Sequence, residues 1–254
     1  MRRRSKITSN KEEHPMHKIK VGWMYPNLLN LHGEVGSVQA LVYVGKKLNV
    51  DVEIIRIEDF DDPIPYEELD MMIFLPGEIA SFRHLIPALE GDLLRNYLEN
   101  GRYLVAIGTS GLMFGKNILR EDGSTPNGLG YLDMTAKERT YVWGDDMHFR
   151  LNDGSHELAG SQIQMADVDA ANPLGTIIYG MGNNKSGAEG ARWKNLIYTN
   201  CLGPLFVKNP WFAESIIRDI LSKKNIVLEE TPTYPIAENS FKSTLQFINT
   251  KPKQ

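Results

Sequence analysis

The sequence of 254 residues predicts an α/β fold with a mostly parallel central sheet. Strand-like and helix-like patterns alternate along the first half of the chain. The predicted strands there are short, continuous apolar runs such as RYLVAI, which is typical of strands covered on both faces. From Gly128 onward, extended stretches and loops replace this alternation. Together these observations predict one domain whose sheet is parallel first and becomes mixed in the second half.

Hydrophobic spacing and turn residues place the individual elements. The predicted elements of the first half are strand IKVGWMYP, helix SVQALVYVGKKL, strands VDVEIIRI and LDMMIFL, a helix over 81–100, and strand RYLVAI. Ser37 is the predicted N-cap of the first helix, and the helix over 81–100 should be interrupted near Pro87 or Gly91. In the second half, helical spacing returns over Pro210–Lys223, where the proline suits the first turn.

Composition excludes several classes of function. The net charge of −4, without a dense basic stripe, gives no reason to expect nucleic-acid binding. No apolar run approaches the ~20 residues of a membrane-spanning helix, so no membrane insertion is predicted. The single cysteine, Cys201, excludes an internal disulfide framework and fits a reducing compartment, which predicts a cytoplasmic protein. No cofactor or metal site is predicted, and the acidic run Glu58–Pro63 reads as a solvated loop.

The two ends of the chain differ in composition from the middle. Residues 1–17 are basic and lack the apolar core of a secretory signal, which predicts a flexible tail. Residues 229–254 are rich in Thr, Pro and Lys, which predicts disorder. The predicted domain therefore spans residues 18–228.

Ligands of parallel α/β sheets bind at the carboxyl ends of the strands, which directs attention to three loops. These loops are Tyr25–Gly36, Leu75–Ala80 and Gly108–Gly111. The last loop begins the stretch AIGTSGLMFGK, where a strand breaks sharply into a turn, and α/β enzymes usually present a nucleophile at such a turn. The candidates there are Thr109 and Ser110, or no nucleophile at all.

Five motifs follow one another in a specific order between about Lys18 and about Asn225. They are NLHGEVGSVQAL, ENGRYLVAI, NGLGYLDM, YGMGNNKSGAEG and WKNLIYTNCLGPLFVKNP. Their order and spacing resemble the class I glutamine amidotransferases of the CobB/CobQ-like type, which includes the glutaminase subunit (GatD) of lipid II isoglutaminyl synthase. The resemblance implies a flavodoxin-like three-layer fold and hydrolysis of glutamine by a Cys–His pair. It also implies delivery of ammonia to a Mur-ligase-like (MurT-type) synthetase in peptidoglycan biosynthesis for the cell wall.

The residues on which that chemistry depends are replaced in this sequence. Under the resemblance, the nucleophilic cysteine falls on Gly108 and the histidine falls on Leu202. The oxyanion loop, three glycines in the family, reads Leu75-Pro76-Gly77, and proline has no N–H to donate. These replacements imply that the chain has lost the nucleophile, the general base and an oxyanion donor together.

The resemblance also implies changes in the substrate pocket. The arginine that holds the substrate falls on Tyr141, three residues before a Gly-Asp pair, although a shift in register would bring Arg139 to that place. Leu112, with Leu75 and Leu202, is expected to make the pocket more apolar. The sequence therefore predicts that glutamine does not bind.

Three functional hypotheses remain open at this point. The leading one is a catalytically inactive pseudo-glutaminase that acts as a partner or regulatory subunit of a Mur-ligase-like synthetase. The second is an active glutamine-hydrolysing enzyme or a serine-dependent amidohydrolase that uses Ser110, although capping of the following helix is the favoured role of that residue. The third is a stand-alone sensor of a small molecule.

Overall fold

The computed structural model describes residues 17–252. Its first half contains β1 (His17–Met24), α1 (Val35–Lys47), β2 (Val50–Ile57), β3 (Met71–Phe74), α2 (Phe82–Ala88), α3 (Gly91–Glu99) and β4 (Tyr103–Ile107). Each of these elements was predicted from the apolar spacing. The interruption predicted near Pro87 or Gly91 separates α2 from α3.

Two strands of the central sheet, β10 (Ala191–Trp193) and β11 (Leu196–Thr199), come from the second half of the chain. The sheet has six strands in the order β10-β11-β4-β3-β1-β2. All neighbouring strands are parallel except β10, which pairs antiparallel with β11 at the edge. One apolar core packs on each face of this sheet, so the domain has three layers, as the α/β prediction requires.

The strands outside the central sheet are β5 (Asn117–Leu119), β6 (Met134–Leu151), β7 (Glu157–Ala170), β8 (Gly175–Tyr179), β9 (Ala188–Glu189) and β12 (Cys201–Leu202). They form a second sheet in the antiparallel order β12-β7-β6-β8-β9, and β5 pairs parallel with β6. The central sheet is mostly parallel and becomes mixed at β10, as predicted, but the sequence did not predict the second sheet. β6 and β7 pair with each other there, because two long strands joined by a short turn close an antiparallel hairpin directly.

Three helices complete the chain, namely α4 (Leu205–Lys208), α5 (Pro210–Lys223) and α6 (Pro235–Ile248). α5 has its proline in the first turn, as predicted. The prediction of disorder after residue 229 is wrong for α6. Phe241 packs edge-on against the rings of His148 and Trp211, with centroid distances of 5.8 and 5.3 Å, and Ile248 is buried. These apolar contacts hold the helix on the sheet despite its polar composition.

Two predictions concern the beginnings of elements. Residues 1–16 of the predicted tail lie outside the described residues, and His17 already belongs to β1. Ser37 is not the N-cap of α1, because the helix begins at Val35 and its cap residue is Glu34. The Ser37 hydroxyl lies in the first turn and donates a hydrogen bond to the Glu34 carboxylate at 3.0 Å.

Within residues 17–252, none of the helices has the length and apolar character needed to cross a bilayer.

Candidate functional site

The chain bends sharply where β4 ends, at the carboxyl edge of the central sheet. Gly108 has a φ of +63° at this bend, in the left-handed region that glycine adopts most readily. A Cβ atom at Gly108 would lie 3.0 Å from Cγ of Pro76 and 3.4 Å from Cδ2 of Leu202. The structure therefore brings together three positions that the sequence assigned to the nucleophile, the oxyanion loop and the general base.

None of these three residues offers the chemistry that its position would need. Gly108 has no side chain, Pro76 has no N–H, and Leu202 is aliphatic and buried. A buried isobutyl group can neither accept nor donate a proton. The cluster of Gly108, Pro76 and Leu202 is therefore an apolar contact, and we call it the elbow cluster.

One of the two N–H groups left in the oxyanion loop, that of Gly77, is already paired. The Gly77 N–H donates to Oγ1 of Thr109 at 3.0 Å, and the Thr109 hydroxyl donates to the Gly77 carbonyl at 2.6 Å. A Cβ at Gly77 would lie 2.4 Å from Cδ2 of Leu29 and 2.7 Å from the Leu28 carbonyl oxygen. The loop after β1 thus packs directly on Gly77, and Thr109 takes the place of an oxyanion as the partner of this N–H.

Ser110 lies in the short 3₁₀ helix Gly108–Phe114 and is fully buried. Its hydroxyl lies 3.1 Å from the Phe74 carbonyl oxygen and 3.0 Å from the Ile107 carbonyl oxygen. The expected capping role of Ser110 is wrong, because Ile107 is the cap residue and the hydroxyl points back to carbonyls instead of accepting an N–H. Its oxygen contacts backbone carbonyls and is shielded from solvent, unlike an exposed nucleophile.

The three leucines expected to line the pocket do not form one wall. Leu75 and Leu202 belong to the core on one face of the central sheet, whereas Leu112 belongs to the core on the other face. All three are buried. Leu112 therefore contributes to packing beneath the 3₁₀ helix and not to a common apolar pocket with the other two.

Arg139 and Tyr141 lie in an irregular part of β6, where the pairing with β7 shifts between Glu138 and Trp143. The guanidinium of Arg139 binds the Asp167 carboxylate at 2.6 and 2.9 Å and lies 5.3 Å from the centre of the Tyr141 ring. Tyr141 is 60% exposed. The arginine is therefore engaged by a carboxylate of its own chain, and the tyrosine faces outward.

Sequence reasoning missed Glu34, a buried carboxylate behind the elbow cluster. Its oxygens accept hydrogen bonds from the backbone N–H groups of Gly203 at 2.7 Å and Leu205 at 3.1 Å. Burial raises the pKa of the Glu34 carboxyl, and these hydrogen bonds oppose the rise. The contact ties the chain just after Leu202 to the start of α1. The sequence signal for this contact was the spacing Glu-x-x-Ser at the start of a helix, because the Ser37 hydroxyl also donates a hydrogen bond to the Glu34 carboxylate.

Cys201 is fully buried, as the sequence led us to expect. Burial raises the pKa of its thiol well above the ordinary value, and the nearby carboxylates of Glu189 and Glu34 add to the rise. Such a thiol is not a nucleophile at neutral pH. No group of three or more potential ligand side chains suited to a metal ion occurs within residues 17–252.

Two curated proteins are similar to this chain along most of its length, although no family model matches it. The GatD subunit of lipid II isoglutaminyl synthase (glutamine-hydrolyzing) from Streptococcus pneumoniae (strain ATCC BAA-255 / R6) is 26% identical over 227 residues, which are 85% of each chain. The GatD subunit of the same enzyme from Staphylococcus aureus (strain N315) is 25% identical over 219 residues, 84% of this chain and 89% of that one.

Solved structures show the same architecture. The structure of PurLQS from Thermotoga maritima superposes with a TM-score of 0.54 and 12% identity, covering 81% of this chain and 99% of that chain. A glutamine amidotransferase crystal structure superposes with a TM-score of 0.50 and 13% identity, covering 80% and 98%. The fold is that of the class I glutamine amidotransferases. Among proteins with this fold, the chain is similar in sequence to the two GatD subunits.

Proposed function

We propose that this chain is a non-catalytic GatD-like subunit that supports or regulates a synthetase. The observation that carries the proposal is the elbow cluster, in which Gly108, Pro76 and Leu202 meet at the bend after β4. The hydrogen bond between Gly77 and Thr109 supports it as well, because it occupies one of the two N–H donors left in the oxyanion loop.

Hydrolysis of glutamine needs three contributions at one place. A nucleophile attacks the carboxamide carbon, backbone donors stabilise the resulting oxyanion, and a base carries the proton to the departing ammonia. Removing one residue of such a catalytic unit typically lowers kcat by roughly 10⁴- to 10⁶-fold. Because residues that could make these three contributions are replaced, we expect the chain not to hydrolyse glutamine.

The proposed partner follows from the relatives. They are named as subunits of lipid II isoglutaminyl synthase, and this chain aligns with 85% or more of each of them. We therefore propose a Mur-ligase-like (MurT-type) synthetase as the partner, in the cytoplasm and in the amidation of a peptidoglycan precursor. The alternative of a Ser110-dependent hydrolase has less support, because the Ser110 hydroxyl is buried against two carbonyl oxygens.

The first experiment measures ammonia release from glutamine by the purified chain, alone and with the synthetase. We expect no release above buffer, while an active GatD from another species serves as the positive control. Release that disappears in Ser110→Ala or Cys201→Ala would show that the chain is an enzyme and would overturn the proposal.

A second experiment attempts to rebuild the site. We expect the double variant Gly108→Cys/Leu202→His to stay inactive, because Pro76 still lacks an N–H and Thr109 still holds the Gly77 N–H. Adding Pro76→Gly and Thr109→Ala frees both donors and is expected to give glutaminase activity only at high glutamine concentration, because the substrate pocket is expected to bind glutamine poorly. Activity in the double variant alone would contradict the assigned role of Thr109.

The partnership is tested by co-expression with the Mur-ligase-like synthetase of the same organism, followed by size-exclusion chromatography. We expect a stable complex that contains both chains. Separate elution of the two proteins would remove the subunit role even if the chain is inactive as a glutaminase.

A further inference from the structure

A cavity of about 970 Å³ lies between the antiparallel sheet and α6, and no residue of the elbow cluster lines it. Residues on its wall include Trp143 of β6, Ile177 of β8, Met181 and Lys185 of the following loop, and Ile248 of α6. Small-molecule sites typically enclose roughly 300–1,000 Å³ and combine apolar walls with a few polar groups. The size and the mixed lining both fit that description.

The charges on the cavity wall are of one sign. Among the described residues that line it, the charged side chains are Lys185 and Lys251, and no carboxylate is present. The ammonium of Lys251 is balanced by Asp145 at 2.5 Å and Asp146 at 2.6 Å. Lys185 has no ion pair within residues 17–252, and its ammonium lies 5.7 Å from the centre of the Trp143 ring. Of the two lysines that line the cavity, Lys185 is therefore the one that no described carboxylate pairs, and its side chain is exposed and open to an anion.

The rest of the lining is suited to an apolar body. Ile177, Met181 and Ile248 present aliphatic or thioether side chains, and the ring of Trp143 adds a flat aromatic surface 5.7 Å from the ammonium of Lys185.

We propose that this cavity binds an amphipathic organic anion. Its acidic headgroup, a carboxylate or a phosphate monoester, pairs with the ammonium of Lys185, and its apolar part packs against Met181 and Ile248. This site is separate from the elbow cluster, so the proposal is independent of whether the chain is a glutaminase subunit.

The binding experiment uses the full chain and four eight-carbon probes in isothermal titration calorimetry. Octanoate and octyl phosphate carry the two candidate headgroups, octylammonium reverses the charge, and 1-octanol removes it. We expect at least one of the two anions to bind, octanol to bind more weakly, and octylammonium not to bind. The tighter anion identifies the headgroup. Failure of both anions to bind, or equal binding of octylammonium, would overturn the proposal.

A matched pair of lysine variants tests the contact itself. Lys185→Gln should weaken binding of the anion about tenfold, because it removes a charge-assisted contact. Lys194→Gln is the control, since Lys194 also has a left-handed backbone and also lies over a tryptophan ring, at 5.1 Å from Trp193, but does not line the cavity. Equal effects of the two variants on binding would refute the assignment of Lys185.

Discussion

The elbow cluster and the cavity under α6 are opposites in packing and in charge. At the elbow, apolar side chains fill the space at Gly108, and the Gly77 N–H is paired within the chain. In the cavity, the Lys185 ammonium lacks an ion pair with any described residue. The comparison teaches that the edge of the sheet, where ligands of such folds bind, can be filled by packing, while a charged group without a partner marks a separate place for a ligand.

The largest expected effect tests how tightly the 3₁₀ helix that begins at Gly108 is packed. A Cβ at Gly111 would lie 1.9 Å from Cδ2 of Tyr198, whose ring is buried. We expect Gly111→Ala to lower the free energy of unfolding by about 3 kcal/mol or more, because the ring has no room to move. Urea denaturation followed by circular dichroism measures this loss.

The control for this prediction lies on β6, close to the cavity side of the molecule. A Cβ at Gly144 would meet no heavy atom closer than 3.8 Å, and the backbone there is not left-handed. Gly144→Ala should change the free energy of unfolding by less than about 0.5 kcal/mol. Similar losses in both variants would mean that the 3₁₀ helix that begins at Gly108 is not the more tightly packed region.

The second prediction concerns Glu189, a fully buried carboxyl near the elbow. One of its oxygens accepts hydrogen bonds from the Thr199 hydroxyl at 2.8 Å and the Asn200 N–H at 2.6 Å, while the other has no partner within the described residues. Burial raises the pKa of Glu189 from 4.5 to about 7. The folded state therefore holds this proton more tightly than the unfolded state does.

The sign of the pH dependence follows from that shift. The stabilisation is complete below pH 4.5 and is lost as the pH rises to about 7. Between pH 4.5 and about 7, the free energy of unfolding of the wild-type chain should fall by up to roughly 3 kcal/mol relative to that of Glu189→Gln. Above this range, the difference between the two proteins should change no further. Urea denaturation at several pH values measures the difference. A constant difference between the two proteins would show that Glu189 does not titrate in this way.

The smallest expected effect concerns the C-terminal wall of the cavity. Lys251→Met removes the ion pairs with Asp145 and Asp146 and leaves two carboxylates side by side. These groups are partly exposed, so we expect a loss of about 1 kcal/mol and faster amide hydrogen exchange in α6. Lys242→Met is the control, since Lys242 is exposed on the same helix and makes no ion pair within residues 17–252. Equal exchange rates in the two variants would argue against the role of Lys251.

Local spacing predicted the first half of the fold well, because each strand there is a continuous apolar run between turn residues. It failed for α6, whose apolar contacts are few and whose composition resembles that of a disordered tail. The separate antiparallel sheet was missed for a different reason. Alternation along β6 and β7 indicates strands, but it does not say which strands pair with each other.

The candidate site was only partly predictable. The resemblance identified Gly108, Pro76 and Leu202 as equivalent positions, and the structure brings them into contact. The pairing of Thr109 with Gly77 joins residues that are 32 positions apart, and no short motif encodes such a contact. The same holds for the Glu34 contacts with Gly203 and Leu205, which join residues 169 and 171 positions apart.

The left-handed bend at Gly108 bears on what a nucleophile would cost at this place. Glycine adopts this torsion without steric cost, whereas any larger residue costs about 1–2 kcal/mol there and also presses on Pro76. A nucleophile at this bend would have to be held in a strained conformation by the rest of the fold. A chain that acquired one would therefore begin as a less stable protein, and the proposed non-catalytic role avoids that loss of stability.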